Sequence, residues 1–523
     1  MLSPLIRSKV SWLWDRFWSA GLSNPITAIE QISYLLFMRR LEYVDNGDYF
    51  IEREDLKWSK FRDLPPEELL EHIRANVFPF IKNLHDPHEP FSMAMDNAVF
   101  LIDKPTLLKE AIEVIDEIYK DIDSQKDAGQ HFQDTPGDLY EHLLKATSEA
   151  GKNGQFRTPR HIIQMMCEIA DPDVGDRICD VTCGTGGFLV GAYQHILSKY
   201  SSSKYIEEDE NGLKRSLKGD LLSIQQFVEL KSNTFFGFDI DPTMIRIGLM
   251  NMIMHGITEP RITRVDTLSE AFDVSQSVAN ASTPVAVAPP FLYTTPDLSD
   301  EQYSIILANP PFTGRIDKST LSKKLQKVDT SQSELLFLHR IIRMLKTNGR
   351  AAVIIPEGVL FGTSNAQKYT RETLLKDCCL NAVISMPSGV FYPYTGVKTS
   401  IIVFTKKELG STVYHTDKVW FYGMDGDGYS LDTNRKKLKE NPLPIVSRSY
   451  KTRESSIIQD RKGKYFYVPI DEIQKQSLNL SFNQYKEFVY EAQEHEPPGE
   501  LLARIIELEK SILNDLTNLS TLL

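Results

Sequence analysis

Along residues 1 to about 130, short apolar groups alternate with charged ones. Between Ala28 and Leu41, Ile29, Ile32, Leu35/Leu36 and Arg39/Arg40 recur three to four residues apart, which is the period of one helix face. An all-helical N-terminal portion is predicted, with Trp12, Trp14 and Trp18 as core anchors in its first turns. From about 150 to 405 the pattern changes to short β-branched or aliphatic runs separated by helical stretches, at 177–181, 234–240, 305–308, 351–355, 382–386 and 400–404. Strands alternating with helices predict an α/β fold: a mostly parallel sheet with helices on both faces. The polar stretches 201–220 and 273–300 are too rich in Ser, Ala, Pro and charge to be elements and read as surface insertions. Residues 406–495 mix strand-like and basic pieces without a clear period. Pro497, Pro498 and Gly499 then open a last helix, whose Ile505, Leu508, Ile512, Leu516, Leu519 and Leu523 fall along one face. That face either packs on its own domain or meets a partner helix.

The composition changes this picture little. At 523 residues with 41% hydrophobic and 25% charged, the chain is neither disordered nor a small disulfide scaffold, and several folded units are expected. Acidic residues outnumber basic ones, 71 to 59, for a net charge of −12. A surface that follows a polyanion throughout is thereby disfavoured, although Arg315, Lys318, Lys323, Lys324 and Lys327 form a local basic run. Cys167, Cys179, Cys183, Cys378 and Cys379 contain no CxxC pair, which suits a reducing compartment and a cytoplasmic location. After Arg7 and Lys9 the chain runs Trp12-Leu-Trp-Asp-Arg16, without the apolar stretch of a signal or membrane span.

Candidate chemistry begins at Asp180-Val-Thr-Cys-Gly-Thr-Gly-Gly-Phe-Leu189, a strand end, a glycine turn and a helix start. Nucleotide-type ligands dock at such a crevice. Gly184 and Gly186 match the first and third positions of a dinucleotide loop, but Leu189 stands at the sixth, where the last glycine belongs, so a pyrophosphate cradle is disfavoured. Adjacent Gly186 and Gly187, with Thr185 between the paired glycines, still let a ligand approach the backbone closely. Asp180 offers a carboxylate to a cationic or amino group, and S-adenosylmethionine carries both an ammonium and a sulfonium. The next strand ends Phe236-Gly-Phe-Asp-Ile-Asp241, where a carboxylate would meet the ribose hydroxyls. Asp239 is the first choice for that bond and Asp241 the competitor. Asp266 either meets the adenine amino group or caps a turn.

At 305–312, Ile-Ile-Leu-Ala-Asn-Pro-Pro-Phe, a buried-type strand stops at Asn309 because Pro310 and Pro311 cannot continue it. The Asn309 amide oxygen and the Pro310 carbonyl then become acceptors on a stiff backbone, suited to holding the N–H groups of an exocyclic amine. Acceptors in that place draw the nitrogen from planar toward tetrahedral and nucleophilic, so that a sulfonium methyl can be attacked in line. Phe312 can stack on a flat base, which must be flipped out of a duplex to reach it. Taken alone, Asn-Pro-Pro is equally a strand-terminating turn. The cysteines read as structural, since no histidine partner is evident.

With these motifs, the sequence resembles the modification subunit of type I restriction-modification systems, an N6-adenine DNA methyltransferase family. The likeness also includes Gly137-Asp-Leu-Tyr-Glu141, Gly154-Gln-Phe-Arg-Thr-Pro-Arg160, Glu334-Leu-Leu-Phe-Leu338 and the segment 349–358, and covers most of the chain. It implies a Rossmann-like methyltransferase using S-adenosylmethionine, with Gln155, Phe156, Arg157, Thr158, Pro159 and Arg160 looped over the methionine end. It further implies Phe391, in Gly389-Val-Phe-Tyr-Pro393, as a second aromatic face for the flipped adenine. Val181-Thr182 departs from the family's usual Pro and small residue, but removes no ligand group.

The implied partners are double-stranded DNA and a specificity subunit, two methylating chains to one, with a restriction nuclease subunit as a further possibility. The implied organisation is a helical N-terminal domain (1–130), a catalytic domain (131–410), its extension (411–495) and a docking helix (496–523). Competing readings are an N-methyltransferase of protein glutamine or RNA guanine, an idle assembly module, and a nicotinamide dehydrogenase.

Overall fold

A computed structural model of the protein describes residues 4–44, 49–50, 53–84, 89–127, 137, 139–144, 158–208, 214–273, 300–455, 460–487 and 498–522. Its N-terminal helices form where the apolar period is unbroken. In α1 (Pro4–Ser19), the buried stripe runs through Ile6, Val10, Leu13 and Phe17, spaced as one helix face. The tryptophans lie off that stripe: Trp12 and Trp18 are 39% and 47% exposed. The expected role as core anchors is corrected for Trp12 and Trp18, because the face that meets the core is filled by smaller side chains, whereas Trp14 is partly buried and packs against the core. Next, α2 (Pro25–Val44) buries Ile29, Ile32, Leu35 and Leu36 as the spacing predicts.

Nine strands build one sheet: β1 (Ile178–Asp180), β2 (Phe235–Asp239), β3 (Arg261–Arg264), β4 (Tyr303–Ala308), β5 (Leu345–Pro356), β6 (Cys378–Ser385), β7 (Thr399–Lys406), β8 (Lys418–Gly423) and β9 (Tyr465–Pro469). Their order across the sheet is β9-β8-β6-β7-β5-β4-β1-β2-β3. All run parallel except β7, which lies antiparallel between β5 and β6, and β9 at the edge. The six runs read from the sequence all become strands. Three further strands had no clear signal: β3 is short and half basic, and β8 and β9 sit in the stretch without a period. The region after 410 therefore continues the sheet. Before β1 comes α3 (Arg160–Ala170), between the next strands lie α4 (Gly187–Lys199) and α5 (Pro242–Met254), and beyond β4 lies α6 (Ser333–Met344).

The N-terminal helices and the sheet belong to one compact unit, Met1–Tyr485. A buried polar seam joins α2 to α5. Glu30 is ion-paired with Arg246 and accepts a hydrogen bond from the Tyr34 hydroxyl at 2.8 Å. The Tyr140 hydroxyl, from the 137–141 motif, lies 2.8 Å from Ser33 Oγ and donates to the Ile247 carbonyl at 3.3 Å.

Of the two expected insertions, 201–220 contains a small hairpin, Glu207–Glu208 with Lys214–Arg215, so it is not wholly without elements. The second falls mostly outside the described residues. Its two ends, Asp273 and Asp300, both reach the fully buried Arg340, at 3.0 and 3.7 Å.

The second unit, Lys486–Leu523, contains α7 (Pro498–Leu522). The predicted stripe is present and wider than expected: Leu501, Leu502, Ile506 and Leu513 are exposed beside Ile505, Leu508, Ile512, Leu516 and Leu519. Leu523 lies outside the described residues. Among those residues, no helix is long and apolar enough to cross a membrane.

Candidate active site

Three neighbouring parallel strands, β4, β1 and β2, deliver the candidate residues to one edge of the sheet. Asp180 ends β1 opposite Gly237, Asp239 lies two residues beyond Gly237 on β2, and Asn309 follows the last residue of β4. From β1 the chain builds outward through β2 to β3, and β4 starts the opposite half. Such a reversal opens a crevice at the carboxyl ends of the strands.

The glycine loop closes that crevice from below. Gly184 and Gly186 have φ of +49° and +74°, a region that side-chain-bearing residues rarely adopt. Gly186 caps α4, which begins at Gly187. The loop is held from β2 and α5. Asp239 Oδ2 accepts from Gly184 N at 2.9 Å, the Phe238 carbonyl accepts from Cys183 N, and Asn251 Nδ2 donates to the Thr185 carbonyl at 2.8 Å. A side chain at Gly248 would bring its Cβ within 2.9 Å of the Gly184 carbonyl, and one at Gly237 within 2.8 Å of Cys183 Sγ. Asn251, Gly248 and Gly237 escaped the sequence reading. The available signal was Asn251, a buried amide in the apolar run Met244–Met254.

Asp180 is 2% exposed and accepts from Thr182 N at 3.0 Å. Burial, reinforced by the nearby Asp239 charge against the single Thr182 bond, pushes its carboxyl up to about 8. Burial also raises Asp239, whose Oδ1 accepts from Asp241 N. The competitor Asp241 spends one oxygen on capping α5, accepting from Thr243 N and Met244 N. Asp266 accepts from Leu268 N at 2.9 Å, a turn role. Burial holds the Cys183 and Cys378 thiols well above the ordinary thiol value, so neither is a ready nucleophile.

Neither Asp180 nor Asp239 has a basic ion-pair partner among the described residues. Two such carboxyl groups suit a ligand bearing an ammonium and a diol, and would repel a pyrophosphate. The donor set thus fits S-adenosylmethionine.

At the β4 end, Asn309 Nδ2 donates to Thr158 Oγ1 at 3.0 Å. The amide oxygen is shielded from solvent and has no hydrogen-bond partner among the described residues. Pro310 is buried, Pro311 exposed, and Phe312 is 3% exposed. The Phe312 and Phe391 rings meet edge to face, with centroids 5.6 Å apart and planes at 78°. Thr158 and Pro159 lead directly into α3, where Pro159 is the cap. Arg160 is ion-paired with Glu141 and donates to Gln194 Oε1 at 3.0 Å, and His161 lies 2.8 Å from the buried Asp427. Gln155, Phe156 and Arg157 lie outside the described residues. In the basic run, Lys318, Lys323 and Lys324 are paired with Asp329, Glu270 and Asp300.

The family sequence model described as N-6 DNA Methylase matches residues 131–495, and one described as HsdM N-terminal domain matches 6–115. The methylase subunit of the type I restriction enzyme EcoEI from Escherichia coli is 28% identical over 520 residues, covering 95% of this chain and 93% of that protein. The StySJI methylase subunit of Salmonella typhimurium is 26% identical, over 79% of this chain and 71% of its own. Among solved structures, a chain from work on complex assembly of the type I R-M system superposes with a TM-score of 0.65 at 24% identity, covering 98% of this chain and 97% of that one. The fold is shared with that structure, and the matched sequence models span both the helical and the sheet regions. This chain belongs to the N-6 DNA methylase family, as a DNA adenine methyltransferase of the type I methylase-subunit kind.

Proposed function

We propose that the chain transfers a methyl group from S-adenosylmethionine to the N6 amine of an adenine flipped out of double-stranded DNA. The observation that carries this site assignment is the Asn309 amide oxygen, buried without a partner among the described residues at the edge of the crevice that holds Asp180 and Asp239. A buried acceptor left unsatisfied costs about 1–3 kcal/mol, a cost relieved when a substrate N–H reaches it. Asn309 and the Pro310 carbonyl accept the two amine N–H groups, drawing the nitrogen out of conjugation with the ring. Bound S-adenosylmethionine supplies a methyl group on an electron-poor sulfur.

Asp180 holds the ammonium of the cofactor, Asp239 its ribose hydroxyls and Asp266 its adenine amino group. Gly184, Thr185, Gly186 and Gly187 let it approach the backbone, and the 155–160 segment covers its methionine end. Phe312 stacks on the target base. For Phe391 to supply a second face, parallel rings would need a gap of about 7 Å, two van der Waals contacts of roughly 3.5 Å. The present edge-to-face contact therefore turns as the base enters. The chain works in the cytoplasm with a specificity subunit that selects the DNA site, two methylating chains to one, and joins a restriction nuclease subunit in the full assembly.

The test is the N6-methyladenine content of genomic DNA from a methylase-free host carrying this chain with its neighbouring genes, compared with Asn309→Ala. Signal in the first alone is expected. Signal that survives the substitution removes Asn309 from the chemistry. No signal in either, with the partner present, points instead to RNA, to protein glutamine or to an idle assembly subunit.

A further inference from the structure

An asparagine amide can present either its oxygen or its NH2 group to a substrate, and the two ends differ little in shape. Only the oxygen can accept the N–H groups of an amine. With the NH2 end turned inward, donors would face donors. The Asn309 oxygen therefore needs something that decides which way the amide lies.

We propose that Thr158 is that group, a positioning residue that fixes the Asn309 amide with its oxygen toward the substrate. Asn309 Nδ2 lies 3.0 Å from Thr158 Oγ1, and the amide oxygen is left shielded and, among the described residues, unpartnered. With the Thr158 hydroxyl as acceptor, this bond takes one of the two amide N–H groups and leaves the oxygen for the amine. The two residues are 151 positions apart in sequence, so the contact depends on where the start of α3 is held. It is held on both sides: Arg160 is ion-paired with Glu141, and His161 meets Asp427, whose side chain is wholly buried and also paired with Arg435. These pins lie two and three residues after Thr158, and Pro159 stiffens the step between them. The resemblance implies only that Thr158 lies in a loop over the cofactor. Its hydroxyl against the amide of the catalytic asparagine gives it a second task, performed on the substrate side.

This inference rests on the proposed role of Asn309, and the test separates the two. The complex of this chain with its co-encoded specificity subunit is purified as wild type, Asn309→Ala, Thr158→Val and Thr158→Ser. Each is assayed for single-turnover transfer of tritiated methyl from saturating S-adenosylmethionine to genomic DNA of a methylase-free host. Binding of S-adenosylmethionine is measured on the same samples by calorimetry. Valine keeps the shape of threonine and removes the hydroxyl, so the rate at saturating S-adenosylmethionine is expected to fall roughly 10- to 100-fold. Serine restores the hydroxyl and is expected to return the rate to within about threefold of wild type.

A Thr158→Val rate equal to wild type, with Asn309→Ala inactive, overturns the positioning role and leaves the role of Asn309 standing. Weakened cofactor binding with a normal rate at saturation also overturns it, and makes Thr158 a cofactor contact alone. An active Asn309→Ala overturns both.

Discussion

Asp180 shows what one residue contributes when its surroundings withhold a counter-charge. Burial and the neighbouring Asp239 carry its carboxyl to about 8, so below that pH the ligand-free site holds a proton. A cationic ligand favours the charged form, and its binding then expels the proton. The ligand's own α-amino group ionises near about 7.7–8.0. Affinity for S-adenosylmethionine should therefore rise roughly tenfold between pH 6 and pH 7, only about two- to threefold more up to a maximum near 8 as both groups pass through their own pKa, and decline above it. Calorimetry at pH 6, 7, 8 and 9 checks this, and Asp180→Asn should flatten the acid limb. A flat wild-type profile would mean that Asp180 does not face the ammonium. At this scale much of the site was legible: Asp180, Asp239 and Asn309 each sit where an apolar run stops. Asp239 is already preferred to Asp241 on the sequence, and the structure adds that Asp241 caps α5. The pairing of Asn309 with Thr158 had no local signal at all.

Among the elements, α5 connects the N-terminal helices, the sheet and the glycine loop. Its start is capped by Asp241, Arg246 reaches Glu30, the Ile247 carbonyl accepts from Tyr140, Gly248 lies under the Gly184 carbonyl, and Asn251 holds the Thr185 carbonyl. Different faces of a single helix thus tie the N-terminal helices, through Arg246 and Ile247, to the glycine loop, through Gly248 and Asn251. Gly248→Ala would force its Cβ to 2.9 Å from the Gly184 carbonyl, and backbone on both sides leaves little room to yield. S-adenosylmethionine binding should weaken by about tenfold or more, roughly 1.4 kcal/mol, while circular dichroism still reports a folded protein. Arg246→Met tests the other end of the helix. It leaves Glu30 buried without its partner, and urea denaturation should show a loss of about 3–5 kcal/mol. Neither link could be read from the sequence, since Glu30 and Arg246 are 216 residues apart and no period connects them. The six strands from β1 to β7, β3 excepted, were legible for the opposite reason. Each contains a short apolar run, as strands buried on both faces of a sheet require, whereas β8 and β9 lie on the side of the sheet where basic and aromatic residues interrupt the pattern.

For the whole molecule, the terminal unit raises the question of what its helix is for. α7 carries nine exposed Leu and Ile side chains over 25 residues. Burying a side chain of that size is worth about 1.5–3 kcal/mol, and a contiguous apolar patch of such extent marks a binding surface. The net charge of −12 adds a second constraint. Attachment to a polyanion has to come from a minority of the surface or from another chain, and part of the basic run beyond Phe312 is already paired with carboxylates. Both features follow if α7 docks a specificity subunit that supplies much of the DNA affinity. A chain ending at Tyr485 keeps every strand and every candidate site residue within one compact unit. It should bind S-adenosylmethionine as the full chain does, within about twofold, yet fail to co-purify with a tagged specificity subunit and leave host DNA unmethylated. Leu508→Glu with Ile512→Glu in the full chain should reproduce that loss of co-purification, since the two charges would have to be buried unpaired at the interface. If the truncated chain still captures the specificity subunit and methylates DNA, the docking surface lies elsewhere in Met1–Tyr485, with the N-terminal helices as the next place to mutate.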